Sequence, residues 1–141
     1  MPKFTALTLI ALLLAVNLNS FGYSPSSLHC KTNFSFKAKF VGEIVRYSYI
    51  KIAVESTGEP KRYRLGQIPL KGSCYEAISG NKYKIIGIYD TNARLWKFDC
   101  FNQKNEHISV FIGKENEEGG IEGKWSNKKI SRDFYLKKSN N

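Results

Sequence analysis

The sequence predicts an all-β fold, a single antiparallel up-and-down barrel or strongly curved sheet of about eight to nine short strands. Apolar and polar residues alternate with period two along most of the chain, as in half-buried strands. Turns rich in Gly, Asn, Ser and Pro interrupt this alternation about every eight to twelve residues. No stretch keeps an apolar period of about 3.6, so we expect no sizeable helix. Because short turns pair strands that are adjacent in sequence, an up-and-down barrel is favoured over a Greek-key sandwich.

The expected strands follow one another along the whole second part of the chain. They are residues 33–40, 44–55, 61–70, 74–78, 82–89, 95–101, 107–113, 121–125 and 130–136. A turn at Lys71-Gly72-Ser73 separates the third strand from the fourth. Pro69 is expected at a strand end or a sheet edge, because it has no N–H for the ladder.

The last hairpin shows the alternation most clearly. Ile121, Gly123 and Trp125 share one face of its first strand. The inward face of its second strand consists of Ile130, Phe134 and Leu136, with Arg132 as the one charged interruption. We expect Trp125 to be buried, with the absent side chain of Gly123 leaving room for the indole.

Residues 1–22 have the composition of a secretory signal peptide. Lys3 precedes the apolar run 7–16, and the small residues Ser20 and Gly22 offer a cleavage site. The apolar run is about ten residues, shorter than the roughly 20 that span a bilayer. We therefore expect an exported protein, periplasmic or secreted, with no transmembrane segment after cleavage. The expected parts are signal peptide 1–22, flexible segment 23–32, β-domain 33–138 and tail 139–141.

The three cysteines, Cys30, Cys74 and Cys100, would all be exported, and an oxidising compartment favours one disulfide. Cys74 and Cys100 are expected two strands apart, roughly 9 to 10 Å at the usual strand spacing, which is too far for a disulfide unless the strands bend. We therefore expect a Cys30–Cys100 pair. Zinc binding is the alternative, but no Cys-x-x-Cys pair is present, so no metal site and no cofactor are expected.

Four segments between residues 84 and 137 resemble the closing half of a group of small exported bacterial β-proteins. They are Ile86-Gly87-Ile88-Tyr89, Trp96-Lys97-Phe98, Gly123-Lys124-Trp125 and Asp133-Phe134-Tyr135-Leu136. In that group a Gly-x-Trp strand and a final Phe-x-Leu strand complete a barrel-like or lipocalin-like sheet. The resemblance implies an exported antiparallel fold, and it transfers no catalytic residue to this chain.

No cluster of residues in the sequence dictates a reaction. Hydrolysis needs a nucleophile with a base or two convergent carboxylates. His29 lies in the flexible segment and His107 beside a turn, whereas Glu115, Glu117 and Glu118 lie in one loop and are expected to be solvated. We therefore expect a non-enzymatic protein.

The charge of the chain is its most informative functional property. Removal of residues 1–22 takes away Lys3 and leaves 21 Lys and Arg against 12 Asp and Glu, a net charge of +9. Such a charge attracts anionic surfaces. The residues expected to form a cationic face are Lys37, Lys39, Arg62, Arg64, Lys82, Lys84, Lys97, Lys128, Lys129 and Arg132. The alternative is that these residues keep the sheet soluble and its edges unpaired.

Three functions follow from this sequence. The first is a binding protein whose cationic face contacts an envelope glycolipid, a glycan or an acidic protein; nucleic acid is not expected because of export. The second is a lipocalin-like carrier of a small apolar ligand. Its cavity would be lined by some of Tyr83, Ile85, Tyr89, Trp96, Phe98 and Trp125. The third is an inhibitor of a secreted enzyme, which would have to be acidic.

Overall fold

The computed structural model describes residues 35–58 and 66–140 as one antiparallel barrel. Each strand pairs with the next in sequence, and the last pairs with the first. The strands are β1 (Lys37–Ile44), β2 (Ser48–Ser56), β3 (Gln67–Glu76), β4 (Asn81–Asp90), β5 (Leu95–Phe101), β6 (His107–Glu115), β7 (Ile121–Asn127) and β8 (Ser131–Lys138). The predicted all-β antiparallel barrel of about eight strands is therefore confirmed.

The core fills the inside of the barrel because alternate residues of each strand point inward. Fully buried side chains come from all eight strands: Ile44, Ile50, Ile52, Leu70, Cys74, Ile85, Phe98, Cys100, Phe111, Ile121 and Leu136. Burial of each large apolar side chain contributes about 1.5 to 3 kcal/mol to folding. The period-two pattern of the sequence therefore encodes the inside and the outside of the barrel directly.

The described end of the third predicted strand, from residue 67, and most of the fourth form one strand, β3, so the predicted turn at residues 71–73 is wrong. Residues 61–65 of the third predicted strand lie outside the described residues. Ser73 pairs with Ala53 of β2 and with Lys84 of β4. A side chain at Gly72 would collide with the backbone carbonyl oxygen of Ala53, so this glycine permits close strand contact and does not mark a turn. Pro69 pairs with Ile88 inside the β3–β4 ladder, but its carbonyl oxygen accepts a hydrogen bond from Thr57 N and so faces the β2 side. The β2–β3 ladder begins only at Leu70, so the missing N–H of Pro69 costs no ladder hydrogen bond.

The predicted burial of Trp125 is confirmed, since its side chain is 3% exposed. The predicted role of Gly123 is wrong. A side chain there would meet the carbonyl oxygen of Ile112 and the backbone of Gly113, its direct partner on β6. The glycine pair lets β6 and β7 approach closely. Phe134 is buried as predicted, whereas Ile130 is 37% exposed because it lies in the turn before β8.

The two ends of the barrel differ. The turns that follow β1, β3, β5 and β7 lie at one end, which we call the open end. The loops that follow β4 and β6 lie at the other, which we call the closed end. There Trp96 stacks on Tyr89 with ring centroids 4.1 Å apart and meets Phe40 edge-on at 5.4 Å. Aromatic rings therefore fill the barrel at the closed end.

The sequence predictions for residues 1–34 lie outside the described residues. They include the signal peptide, the flexible segment and Cys30. Within the described ranges, no helix has the length and apolar character needed to cross a membrane.

Candidate functional site

Seven exposed lysines lie on the outer surface of adjacent strands and form what we call the lysine face. They are Lys37, Lys39, Lys51, Lys71, Lys82, Lys84 and Lys137. Cross-strand pairing brings them together. Lys51 and Lys82 are separated only by Tyr75 of β3, and Lys51 is separated from Lys137 only by Val41. The lysine face therefore runs across β8, β1, β2, β3 and β4.

Few acids neutralise the lysine face. Glu55 lies between Lys71 and Lys37 at 3.3 and 3.4 Å, and their hydrogen bonds, that of Lys71 first, lower the pKa of the Glu55 carboxyl. The other five lysines form no ion pair with any residue in 35–58 or 66–140. The face therefore keeps most of its positive charge.

The opposite side of the barrel carries balanced charge. Lys97 Nζ lies 2.9 Å from Asp99 Oδ2, and Asp99 also contacts His107. Lys124 pairs with Asp133, and Lys114 stands directly across from Glu122. The positive charge of the outer surface is thus concentrated on one side.

A shallow depression of about 380 Å³ lies within the lysine face. Lys37, Lys39, Lys71 and Lys84 are at its rim, and small residues of β2 and β3, including Ala53 and Gly72, form part of its lining. Glu55 also lines the depression and pairs there with Lys37 and Lys71, whereas Lys39 and Lys84 have no described ion pair.

The structure brings together four of the predicted cationic residues, Lys37, Lys39, Lys82 and Lys84. Lys97 lies on the balanced side, and Lys128 and Lys129 lie in the turn before β8 at the open end. Arg132 points inward beside Trp125, its partner in the β7–β8 register, and its buried Nε has no hydrogen-bond partner in the described part of the chain. Arg62 and Arg64 lie outside the described residues.

Sequence reasoning missed Lys51, Lys71 and Lys137. The sequence predicts a turn at Lys71, whereas the structure places this residue inside β3. Lys51 was overlooked because both phases of its strand are rich in apolar and aromatic residues, although it alternates with Ile50 and Ile52. Correct phasing from those isoleucines would have placed Lys51 on the outside.

A second concave feature, which we call the end cavity, opens at the open end of the barrel. Its volume is about 350 Å³. The apolar part of its lining consists of Ile50, Cys74, Cys100, Ile108, Phe111 and Trp125. The polar part consists of Tyr47, Glu76, Asn81, Tyr83, Asn102, Ser109 and Asn127. The end cavity is within the size range of small-molecule sites, at its lower limit of about 300 Å³.

The end cavity is not built from the residues expected for an apolar carrier. Only Tyr83 and Trp125 of that set line it. Ile85 and Phe98 have no exposed surface and belong to the packed core. Tyr89 and Trp96 lie at the closed end, where both donate hydrogen bonds to Glu115 Oε2, at 2.9 and 3.1 Å. Glu115 is therefore an acceptor for these two side chains and not part of a solvated charge run.

Glu76 places a carboxylate at the mouth of the end cavity. The residue is 8% exposed. Its Oε2 accepts a hydrogen bond of 2.7 Å from Ser79 Oγ and a longer one of 3.5 Å from Tyr83 Oη. The pKa of Tyr47 is raised, first by burial and then by the negative charge of Glu76. This carboxylate is therefore close to the aromatic wall of the cavity.

Cys74 and Cys100 are free thiols inside the barrel and both line the end cavity. A hydrogen bond with the Cys100 thiol, followed by burial, holds the pKa of the Cys74 thiol far above its ordinary value. The two residues lie on β3 and β5, two strands apart as expected. Because the Cys100 thiol is free, the structure does not contain the predicted Cys30–Cys100 disulfide; Cys30 itself lies outside the described residues.

The parts of the chain that the structure describes contain no group of three or more His, Cys, Asp or Glu side chains arranged to hold a metal ion. Comparison of the chain with protein-family models, with curated proteins and with solved structures gives no match.

Proposed function

We propose that this chain is an exported, non-enzymatic binding protein whose lysine face contacts an extended anionic partner, such as an envelope glycolipid, a polyanionic glycan or an acidic protein. The observation that carries the proposal is the segregation of charge: five lysines without a described ion pair share one side of the barrel, while lysines on the other side stand beside acids. A partner with regularly spaced negative groups suits a face that covers five strands.

Closure of the barrel weakens the alternative role of the lysines. Lysines on an edge strand prevent edge-to-edge pairing with other chains. A closed barrel has no edge strand, and here β1 pairs with β8. Protection of an edge therefore does not account for Lys39, Lys51 or Lys137.

Exposed tyrosines extend the contact surface. Tyr49 and Tyr75 of β2 and β3 are 50% and 41% exposed beside the lysines, and Tyr135 of β8 is 40% exposed. Each offers an apolar ring with a hydroxyl group, a combination enriched in binding interfaces. Contact through these rings would add affinity that depends less on salt than the lysine contacts do.

Two triple variants with the same change in net charge test the proposal. The first, Lys39→Gln, Lys51→Gln and Lys84→Gln, removes charge from the lysine face. The control, Lys97→Gln, Lys114→Gln and Lys124→Gln, removes it from the balanced side. We expect the wild-type protein to bind heparin resin and anionic lipid vesicles at low salt, and to be released as the Debye length falls below about 10 Å.

The salt concentration at elution should fall much more for the first variant than for the control. Equal reductions would show that net charge alone causes retention and would contradict a specific face. Absence of binding to both surfaces at low salt would rule out the proposed function.

A further inference from the structure

We infer that the end cavity binds a small organic ammonium compound, a primary amine with a short apolar tail, and that Glu76 is the residue that selects it. This site is separate from the lysine face, and its ligand has the opposite charge. The inference depends on the contacts of Glu76 and on the composition of the cavity wall.

Glu76 has no charged partner of its own. Its contacts are the hydroxyl groups of Ser79 and Tyr83, and no Lys, Arg or His in 35–58 or 66–140 forms an ion pair with it. A carboxylate in a residue that is only 8% exposed is costly without a cation or a full set of hydrogen bonds. An ammonium group at the cavity mouth would supply both the charge and new N–H donors.

The wall of the cavity suits the rest of such a ligand. Tyr47 stacks on Trp125 with ring centroids 5.0 Å apart, and Phe111 lies next to Trp125 at 6.4 Å. Aromatic faces attract cations at about 6 Å or less and also cover alkyl chains. Ile50 continues the apolar lining, so the tail of the ligand would point into the barrel.

The charged residues around the open end affect which ligand charge the end cavity prefers. Arg46, Lys104, Lys128 and Lys129 are exposed residues in the turns of the open end, and Arg132 points inward from β8. These groups favour an anion over a cation. Glu106 also lies in these turns, where it accepts a hydrogen bond of 2.7 Å from Asn102 Nδ2. Because the cations of this end outnumber it, the net field opposes a preference for an ammonium compound, and such a preference would have to come from Glu76.

The experiment compares three probes that share one tail: hexylamine, which is protonated at neutral pH, hexanol and hexanoate. Binding to the purified protein is measured by isothermal titration calorimetry and by tryptophan fluorescence. We expect hexylamine to bind about 10- to 100-fold more tightly than hexanol, as a charge-assisted contact implies. In Glu76→Gln this preference should disappear, and hexanoate should bind at least as well as hexylamine.

Three further variants serve as controls for the effect of Glu76→Gln on ligand preference. Glu117→Gln removes the same charge from the exposed loop at the closed end and should keep the preference for hexylamine. Tyr83→Phe removes a hydroxyl partner but leaves the carboxylate, so it should keep the preference as well. Arg132→Gln should weaken only hexanoate. Thermal melting of every variant confirms that the barrel is folded.

Several outcomes would overturn the inference. They are no binding of any probe, equal binding of hexylamine and hexanol to the wild-type protein, a wild-type preference for hexanoate, or an equal loss of preference in Glu76→Gln and Glu117→Gln. None of them bears on retention by heparin, because the lysine face lies on the outer surface.

Discussion

Trp125 joins the core of the barrel to the wall of the end cavity. Its ring contacts Tyr47 and Phe111, and Ser131 Oγ donates a hydrogen bond of 3.3 Å to its carbonyl oxygen. A side chain in this position stabilises the fold whether or not a ligand is present. The effects of its substitution therefore have to be separated into folding and binding.

The first prediction concerns Trp125→Ala. Loss of the indole should lower the free energy of unfolding by about 3 to 5 kcal/mol, because it removes buried apolar contacts and leaves a cavity. Trp125→Phe should lose less, since a ring remains between Tyr47 and Phe111. Urea unfolding followed by circular dichroism measures both. An unchanged midpoint for Trp125→Ala would mean that the indole does not pack in the core.

The second prediction concerns the thiols of Cys74 and Cys100. The raised pKa of Cys74 leaves little reactive thiolate at neutral pH, and both residues are buried. At pH 8, iodoacetamide should modify both at least about tenfold more slowly in the folded protein than in urea. Peptide mapping by mass spectrometry, in a Cys30→Ser variant, gives the two rates. Equal rates in both states would contradict a buried, hydrogen-bonded thiol pair.

At the scale of single elements, the inward phase of β6 positions the Glu115 carboxylate at the closed end of the barrel. Phe111, Gly113 and Glu115 occupy successive inward positions, and Glu115 therefore reaches the closed end. Burial and the hydrogen bond to Glu115 raise the pKa of Tyr89, in that order. Arg94 completes the cluster, with its guanidinium 3.9 Å from Glu115 Oε1.

The third prediction is that Glu115→Ala destabilises the barrel by about 1 to 3 kcal/mol, because Trp96 Nε1 and Tyr89 Oη lose their acceptor while partly buried. Glu117→Ala removes a carboxylate from the loop that follows β6, where the structure shows no such contacts, and should change stability by less than about 0.5 kcal/mol. Thermal and urea unfolding measure the difference. Equal stability of the two variants would show that water replaces the carboxylate at no cost.

Most strands could be predicted from the sequence because the period-two alternation of apolar and polar residues is a local property. Seven of the expected strands correspond to single strands of the barrel, and β3 is the exception. Lys71-Gly72-Ser73 has the composition of a turn, and only the long-range pairing of Gly72 with Val54 shows why a glycine is needed inside a strand. Long-range contact of this kind leaves no local signal.

The candidate sites were less predictable than the fold. The outward phase of Lys37, Lys39, Lys82 and Lys84 followed from alternation, but the presence of unpaired lysines on one side depends on which strands are neighbours. The inward position of Arg132 was visible as the charged interruption of an apolar face. Glu115 could have been placed inside by extending the phase of Phe111, whereas Glu76 gave no sign that its carboxylate borders a cavity.

For the whole molecule, the concentration of like charges has an energetic consequence. Lysines on adjacent strands repel one another across the outer surface, and this repulsion is weakened as salt screens it. The barrel core is not affected by such screening. Stability and binding should therefore respond to salt in opposite directions.

The fourth prediction is that the protein melts at a higher temperature when sodium chloride rises from low concentration to about 0.3 M, with a gain of about 0.5 kcal/mol or roughly 2 to 4 °C. The triple variant Lys39→Gln, Lys51→Gln and Lys84→Gln should show a smaller rise and a higher melting temperature at low salt. Differential scanning calorimetry provides both values. A salt response that is the same in this variant and in the wild-type protein would contradict repulsion within the lysine face.

The pairing of β8 with β1 also bears on the order of the strands along the chain. Ser139 N donates a hydrogen bond of 2.8 Å to the carbonyl oxygen of Lys39, so the two ends of the barrel sequence lie side by side. A short linker between them, with a new opening in the exposed turn at Gly80, would give a circular permutant that keeps every strand pair. Such a permutant should fold to the same barrel, because the structure depends on which strands are neighbours and not on their order from the N-terminus.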